Sequence, residues 1–421
     1  MPSLRDDALG LLMTAIAAAD PGAAVKKNLP PLPRGRGVVI SVGKAAAAMA
    51  QAVEEAWGSR VSGVVVTKYG HGQPLKYIQV LESAHPVPDE AGVRAAQQVK
   101  ALLQSLKPED LVLCLISGGG SALLPDPVGL DLVAKQALST QLLRSGATIN
   151  EMNAVRKHLS GLKGGQLARL AQPAQVVSLI LSDVVGDPFD VIASGPTAPD
   201  PTTYADALAV LERYGIDVLA ARQRLDAGAR GELLETPKPG DPLFSRVQNV
   251  LIGSGQLALE AAAAEAQRRG YQPLILSGFV EGEARIAGRL HAAIARQIRQ
   301  YHQPVAPPVA LLSGGETTVT VKGNGRGGRN TEFALGFALG ADGLENVICA
   351  SVDSDGVDGS SDAAGAMADG STAQRGKAQG KSARDYLERN DSFTFFQVLG
   401  DLIVTGPTLT NVNDLRVVLV H

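Results

Sequence analysis

Residues 111–126, LVLCLISGGGSALLPD, decide how the rest of the chain is read. An apolar run of strand length stops abruptly at Ser117, and Gly118, Gly119 and Gly120 follow in succession before Ser121. Glycines at such a point let the backbone turn at positive φ and leave nothing between the amide N–H groups and an incoming anion. The stretch reads as a phosphate cradle at the carboxyl end of a strand.

The same grammar recurs at residues 37–44 (GVVISVGK), 249–255 (NVLIGSG) and 309–316 (VALLSGGE), while the apolar runs VVSLILSD and NVICASVD end in Asp183 and Asp353. In open α/β sheets ligands sit outside the carboxyl ends of the strands, so these turns are candidates to line a shared cleft. Taken singly, each is what any α/β protein carries after a parallel strand.

A chain of 421 residues is long for one core, and two domains are expected, 1–240 and 241–421, divided at ETPKPGD (235–241). A hydrophobic content of 45% with 19% charged residues describes a soluble globular protein. The net charge of −3 gives no reason to expect nucleic acid or an anionic membrane as partner. Cys114 and Cys349 both fall in expected buried strands, where a thiol behaves as a small hydrophobe, a usage that suits a reducing compartment. The opening MPSLRDDALGLLMTAIAAAD lacks the basic n-region of a signal peptide, and no window approaches eighteen consecutive apolar residues. A cytoplasmic location is expected.

Along the chain, Ser3 with Asp6 opens a capped helix that ends at Pro21-Gly22, and residues 28–36 form a Pro-rich connector. After the strand 37–42, Gly43-Lys44 opens an Ala-rich helix. This is not a P-loop, because Ala45 stands where Ser or Thr would ligate magnesium. Lys44 nonetheless adds charge to the positive end of a helix, where a phosphate or carboxylate would be met. His71 and His85 lie in Gly/Pro-flanked loops without the companions a metal site needs. Residues 147–170 read as one helix, with Met152, Val155, Leu159 and Leu162 on an apolar stripe and Asn153, Arg156, Ser160 and Lys163 on a polar one. A solvated face explains those charges equally well. A long loop after residue 181 carries Asp183, Asp187 and Asp190; loops of that length usually serve a site, and carboxylates facing a phosphate cradle usually mean magnesium.

In the C-terminal half, residues 311–332 (LLSGGETTVTVKGNGRGGRNTE) place two glycine turns around a strand of alternating Thr and Val. Gly323, Gly325 and Gly328 satisfy G-x-G-x-x-G before a helical stretch, and the acidic loop from Asp353 follows the next strand, so a nicotinamide-dependent reductase is a rival reading. Arg326 and Arg329 within the loop are fixed cations that fit phosphoryl transfer better. The acidic loop 351–370 fails as an EF-hand, with Asp358 at position six and Ala364 at position twelve, yet its attachment to a strand end favours a site role. Residues 393–421 read as strand, turn, strand.

Together SVGKA (41–45), ISGGGSALLPDP (116–127), INEMNAVRKHLSGLKGG (149–165), LSDVVGDPFDVIASGPT (181–197), LSGGETTVTVKGNGRGGRNTE (312–332), SVDSDGVDGSSDAAGA (351–366) and VTGPTLTNVND (404–414) resemble the glycerate 2-kinase family whose C-terminal part is the MOFRL domain. The resemblance runs in order over essentially the whole chain. It implies ATP-dependent phosphorylation of D-glycerate to 2-phosphoglycerate with Mg²⁺. It also implies a two-domain α/β fold, a Rossmann-like N-terminal domain with a parallel sheet and a smaller α/β C-terminal domain, with the active site in the cleft between them.

By that resemblance Lys44 and Arg329 stabilise the transferring phosphoryl group. Asp183 or Asp187 would hold magnesium or accept the proton of the attacking hydroxyl. The expected catalytic set is Lys44, Arg329 and Asp183. Ser117, Gly118, Gly119, Gly120, Ser121, Asn153, Arg156, Lys163, Gly314, Glu316, Arg326, Asn330 and Glu332 are expected to bind substrate or phosphate, and Asp187, Asp190, Asp353 and Asp355 the metal. The expected partners are D-glycerate and ATP, with a homodimer left open. An NAD(P)H-dependent hydroxypyruvate reductase is the alternative, although no acid/base His stands beside a substrate-clamping Arg. A non-catalytic sensor of small anions is a third reading, against which the acidic loops at strand ends argue.

Overall fold

The β-branched runs of the N-terminal half form strands, and the central ones are buried on both faces, as parallel strands must be when helices cover them. In the computed structural model, which describes residues 3–421, these are β1 (Gly37–Val42), β2 (Val61–Lys68), β3 (Ile78–Ser83), β4 (Leu111–Ile116), β5 (Gln175–Leu181) and β6 (Val247–Gly253). They form one sheet in the order β3-β2-β1-β4-β5-β6. The β1–β2, β2–β3, β1–β4 and β4–β5 pairs are parallel. Successive side chains of β1 serve opposite faces: Val38, Ile40 and Val42 pack with Ala95 and Val99 of the helix Glu90–Leu102, and Val39 with Met49 and Val53 of the helix Ala46–Trp57. This strand order, reversing between β1 and β4, is that of the Rossmann fold.

The second sheet is mixed. Its strands are β7 (Gln272–Ser277), β8 (Val309–Gly315), β9 (Val347–Asp353), β10 (Gly365–Asp369), β11 (Leu402–Ile403) and β12 (Asp414–Val420), in the order β11-β10-β9-β12-β8-β7. Only β7 and β8 pair in parallel; β12 runs antiparallel between β8 and β9. One face packs on the helices Ala284–Tyr301 and Arg329–Gly340 through Val418, Val420 and Cys349. The other buries Val352, Val417 and Leu419 against Leu11, Leu12 and Ala15 of the first helix, Leu4–Ala18.

The chain therefore divides into two units at other points than composition suggests. One unit is Pro21–Ile252, and the other joins Gly253–His421 to the chain up to Asp20. The boundary expected at residue 240 moves because β6, which follows the Pro-rich segment, is still a strand of the first sheet. The first helix joins the C-terminal unit because its apolar stripe covers that sheet, and its buried Asp7 accepts from Arg269 Nη1 at 2.8 Å and Tyr271 Oη at 2.9 Å.

Four local readings are corrected. Pro21 begins a second helix, Pro21–Asn28, as proline at a first helical position can. The segment 147–170 is two helices, Ile149–His158 and Gln166–Leu170, separated where Gly164 and Gly165 adopt φ of +56° and +79°. The Thr/Val run at 317–322 makes only a single bridge, Thr318 to Glu283, and is not a strand. The aromatic run after residue 391 is the helix Ser392–Leu399, whose Phe393, Phe395 and Phe396 are buried; packing of the rings overrides their strand preference.

Both cysteines are free and buried, and burial pushes the Cys114 thiol up to about 12. No single helix among the described residues is long and apolar enough to cross a membrane. Leu12, 1% exposed, tests the assignment of the first helix. Leu12→Ala is expected to cost about 2–5 kcal/mol, with faster amide exchange in β9 and β12 before β1 and β4.

Candidate active site

Where the strand order reverses, the carboxyl ends of β1 and β4 open a crevice. The parallel register pairs Val42 with Ile116, so the residues that follow each strand emerge together. Ser117 N–H donates to Val42 O at 2.9 Å, Lys44 N–H donates to Gly118 O at 2.9 Å, and Ala45 N–H donates to Ser117 Oγ at 3.1 Å. Lys44 and the glycine turn are thus one cross-linked element. A Cβ at Gly118 would fall 1.8 Å from Asp183 Oδ2, and one at Gly119, where φ is +86°, would meet the His85 ring at 3.3 Å and the Lys44 stem at 3.5 Å. Side chains here would fill the space between Lys44, His85 and Asp183. Burial first, then Lys44 and Lys68, lower the His85 pKa and favour the neutral ring.

The turn continues into a polar relay. Ser121 Oγ lies 2.6 Å from Ser194 Oγ, and Ser194 Oγ donates to Asn153 Oδ1 at 2.9 Å. Ala193 and Ser194 hold left-handed backbone conformations at φ of +50° and +59°, a strain that persists only where the surroundings over-determine it. Asp187 of the same loop is likewise left-handed. Asp190, expected to bind metal, instead pairs with Lys157 at 3.0 Å, and Asp200 is the second partner of that lysine at 3.2 Å.

The cations of 147–170 do not form one helical face. Arg156 lies on the helix Ile149–His158, whereas Lys163 follows its end and donates to Leu124 O at 2.9 Å. Burial, then Lys135 and Arg156, bring the Lys163 ammonium down to about 7; burial and Arg156 bring Lys135 down to about 8. Three cations therefore share a low-dielectric region. Asp126, which faces Lys163, is held by Lys100 at 3.0 Å.

In the other unit, β12 begins with Asp414, which pairs in register with both Gly315 of β8 and Asp353 of β9. Two carboxylates side by side on neighbouring strands repel. Arg329, the first residue of its helix, offsets this: it meets Glu316 at 2.8 Å, Asp353 at 2.6 Å and Asp414 at 3.2 Å. Asp414 also accepts from Asn330 Nδ2 at 2.8 Å and Arg416 Nη2 at 2.6 Å. Burial, then Asp355 and Asp414, push the Asp353 carboxyl up to about 7 against the pull of Arg329. Gly314 lies opposite Leu415, next to this group.

Two residues expected in the site lie elsewhere. The Glu332 carboxylate is buried in a pair with Arg285 at 2.6 Å and accepts from Asn390 at 2.6 Å. Arg326 stacks 4.4 Å from the Phe393 ring centroid and pairs with the exposed Asp362. The G-x-G-x-x-G match also lacks its context, since no strand precedes it. A Cβ at Gly323, Gly325 or Gly328 would strike Arg389 O, Asp391 or Asp358, so packing accounts for these glycines. Asp358 instead accepts from the backbone N–H groups of Asn330 and Thr331 at the start of the Arg329 helix.

Sequence reasoning did not single out Asp414 or Lys135. The first ends the motif VTGPTLTNVND, a usable signal; the second sits in the ordinary helix Leu132–Arg144 and has none. Among the described residues no group of three or more His, Cys, Asp or Glu side chains is arranged to hold a metal ion.

The lowered Lys135 pKa has a testable sign. The unfolded chain keeps that proton at pH values where the folded chain has released it, so the stability from this position rises with pH from about 8 toward the ordinary lysine range. Urea unfolding at about pH 7 and about pH 9.5 is expected to show a gain of about 2 kcal/mol from this residue, absent in Lys135→Met.

Residues 7–226 match the model described as a domain of unknown function (DUF4147), and residues 309–414 match the MOFRL family. The chain is 51% identical over 413 residues to an Agrobacterium vitis protein provisionally named a hydroxypyruvate reductase, covering 96% of this chain and 92% of that one. It is 45% identical over 421 residues to the D-glycerate 2-kinase of Thermotoga maritima, covering 99% of each. The crystal structure of glycerate kinase from Thermotoga maritima matches with a TM-score of 0.93 at 44% identity, covering 99% of both chains. Matched over nearly its full length at these identities, the chain belongs to the glycerate 2-kinase family and carries a C-terminal MOFRL domain.

Proposed function

We propose that the protein transfers the γ-phosphoryl group of ATP to the 2-hydroxyl of D-glycerate, giving 2-phosphoglycerate and ADP. The observation that carries this reading is the crevice at the β1/β4 reversal, where Lys44 is hydrogen-bonded into a glycine turn that presents bare backbone. Such a turn holds phosphate oxygens through amide N–H groups, and the ammonium adds charge where the phosphoryl group is transferred. Asp183, against Gly118, is the group suited to accept the proton of the attacking hydroxyl. Arg329 is assigned to charge on the transferring group, its fork oriented in advance by Glu316, Asp353 and Asp414.

Mg²⁺ would supply positive charge that offsets the phosphate oxygens. A nucleotide-borne magnesium needs only one or two protein carboxylates, so the donor set fits without a larger cluster. Asp187, at a left-handed position of the loop after β5, is the carboxylate that would hold it. A cytoplasmic location and small-molecule partners belong to the same reading, supported by two free buried cysteines.

The test is ADP release with ATP, Mg²⁺ and D-glycerate, run beside NADPH consumption with hydroxypyruvate, with the product identified by NMR. Glycerate-dependent ADP, phosphate on the 2-hydroxyl and loss of activity on chelation are expected. NADPH loss without ADP release would overturn the reading in favour of a reductase. Lys44→Ala and Arg329→Ala are each expected to lower kcat by about a hundredfold or more, with a much smaller change in the KM for D-glycerate.

A further inference from the structure

We propose that Lys135, Arg156 and Lys163 form the seat of the substrate carboxylate, with Lys135 a determinant of specificity for hydroxy acids. This rests on the kinase reading and adds to it a residue and a substrate group.

The charge of these side chains is uncompensated within the chain. Lys135 is 5% exposed and Lys163 3% exposed, and a buried cation is costly unless it is paired. Among the described residues neither the Lys135 ammonium nor the Arg156 guanidinium has a hydrogen-bond or ion-pair partner. Lys163 donates to the neutral carbonyl of Leu124, and the one acid that faces it, Asp126, is held by Lys100 at 3.0 Å. Arg156 lowers the proton affinity of Lys135, and Lys135 and Arg156 both lower that of Lys163, so the three lie close together. Elsewhere in this unit the fold provides acids for its buried lysines: Lys157, 2% exposed, has both Asp190 and Asp200. The deficit beside it is local, and an anion from outside the chain would remove it.

Position identifies the anion. Leu124 follows directly on the helix Gly120–Leu123 that starts in the glycine turn, so Lys163 is anchored one short helix from the phosphate cradle. Arg156 lies one turn from Asn153, which reaches Ser121 of the same turn through Ser194. Phosphate already has amides and Lys44 at the turn. The remaining substrate charge is the carboxylate, whose planar oxygens match a guanidinium fork. A triol without a carboxylate would leave the three cations unpaired and be rejected.

Lys135→Met keeps the length of the side chain and removes its charge. The KM for D-glycerate is expected to rise about ten- to a hundredfold, the KM for ATP to change little, and Lys135→Arg to recover part of the loss. A rise in melting temperature with D-glycerate alone, without nucleotide, should appear in the natural protein and vanish in Lys135→Met. Near-UV circular dichroism establishes that the variant is folded. Unchanged D-glycerate binding by the folded variant, or a rise confined to the KM for ATP, would overturn the proposal. If the natural protein releases no ADP yet is stabilised by D-glycerate through Lys135, the kinase reading falls and the carboxylate seat stands. Glycerate-dependent ADP release with an unchanged KM for D-glycerate in folded Lys135→Met has the opposite meaning.

Discussion

The parallel pairing of β1 with β4 is the constraint on which the candidate site depends. Because Val42 and Ile116 are register partners, the chain must leave both strands at the same level, and the helices that follow must diverge to opposite faces of the sheet. The gap between them can be lined only by residues without bulk, and here it is lined by glycines cross-linked to Lys44 through backbone hydrogen bonds. Asp183, which follows β5, and Asn153, reached through Ser194, are positioned relative to that gap rather than to each other.

The two units handle buried charge in opposite ways. In the MOFRL-containing unit, register brings Asp353 and Asp414 together at a sheet end, and Arg329, Asn330 and Arg416 from neighbouring elements absorb the repulsion. Asp353 still has a raised pKa, so burial and its acidic neighbours outweigh the arginine. In the other unit the excess has the opposite sign, with Lys135, Arg156 and Lys163 lacking acidic partners of their own while Lys157 nearby has two.

Strand cores and glycine turns were legible because their signals are local: an apolar run that stops at Gly or Asp needs only a few residues to declare itself. The span of β4 agrees residue for residue. Readings that assumed continuity over a longer span went astray. The stripe at 147–170 kept helical spacing through a left-handed glycine pair that ends the helix. Alternating Thr and Val at 317–322 had the period of a strand but no neighbour to pair with, and FTFFQVL had strand propensity but a helix-lined pocket for its rings. The G-x-G-x-x-G spacing matched a dinucleotide loop, whereas close backbone approach at Arg389 and Asp391 is what requires those glycines.

By itself the sequence determined the α/β class, the positions of the central parallel strands, the glycine turn with Lys44, and the family resemblance, since each depends on residues adjacent in the chain or on ordered motifs. Tertiary structure decided which unit the first helix joins, that Asp190 and Glu332 are spent in ion pairs, that Asp414 stands beside Asp353, and that Lys135 stands with Arg156 and Lys163. Those facts are pairings between segments far apart in the chain, and a charge reveals whether it is balanced only when its neighbours in space are known.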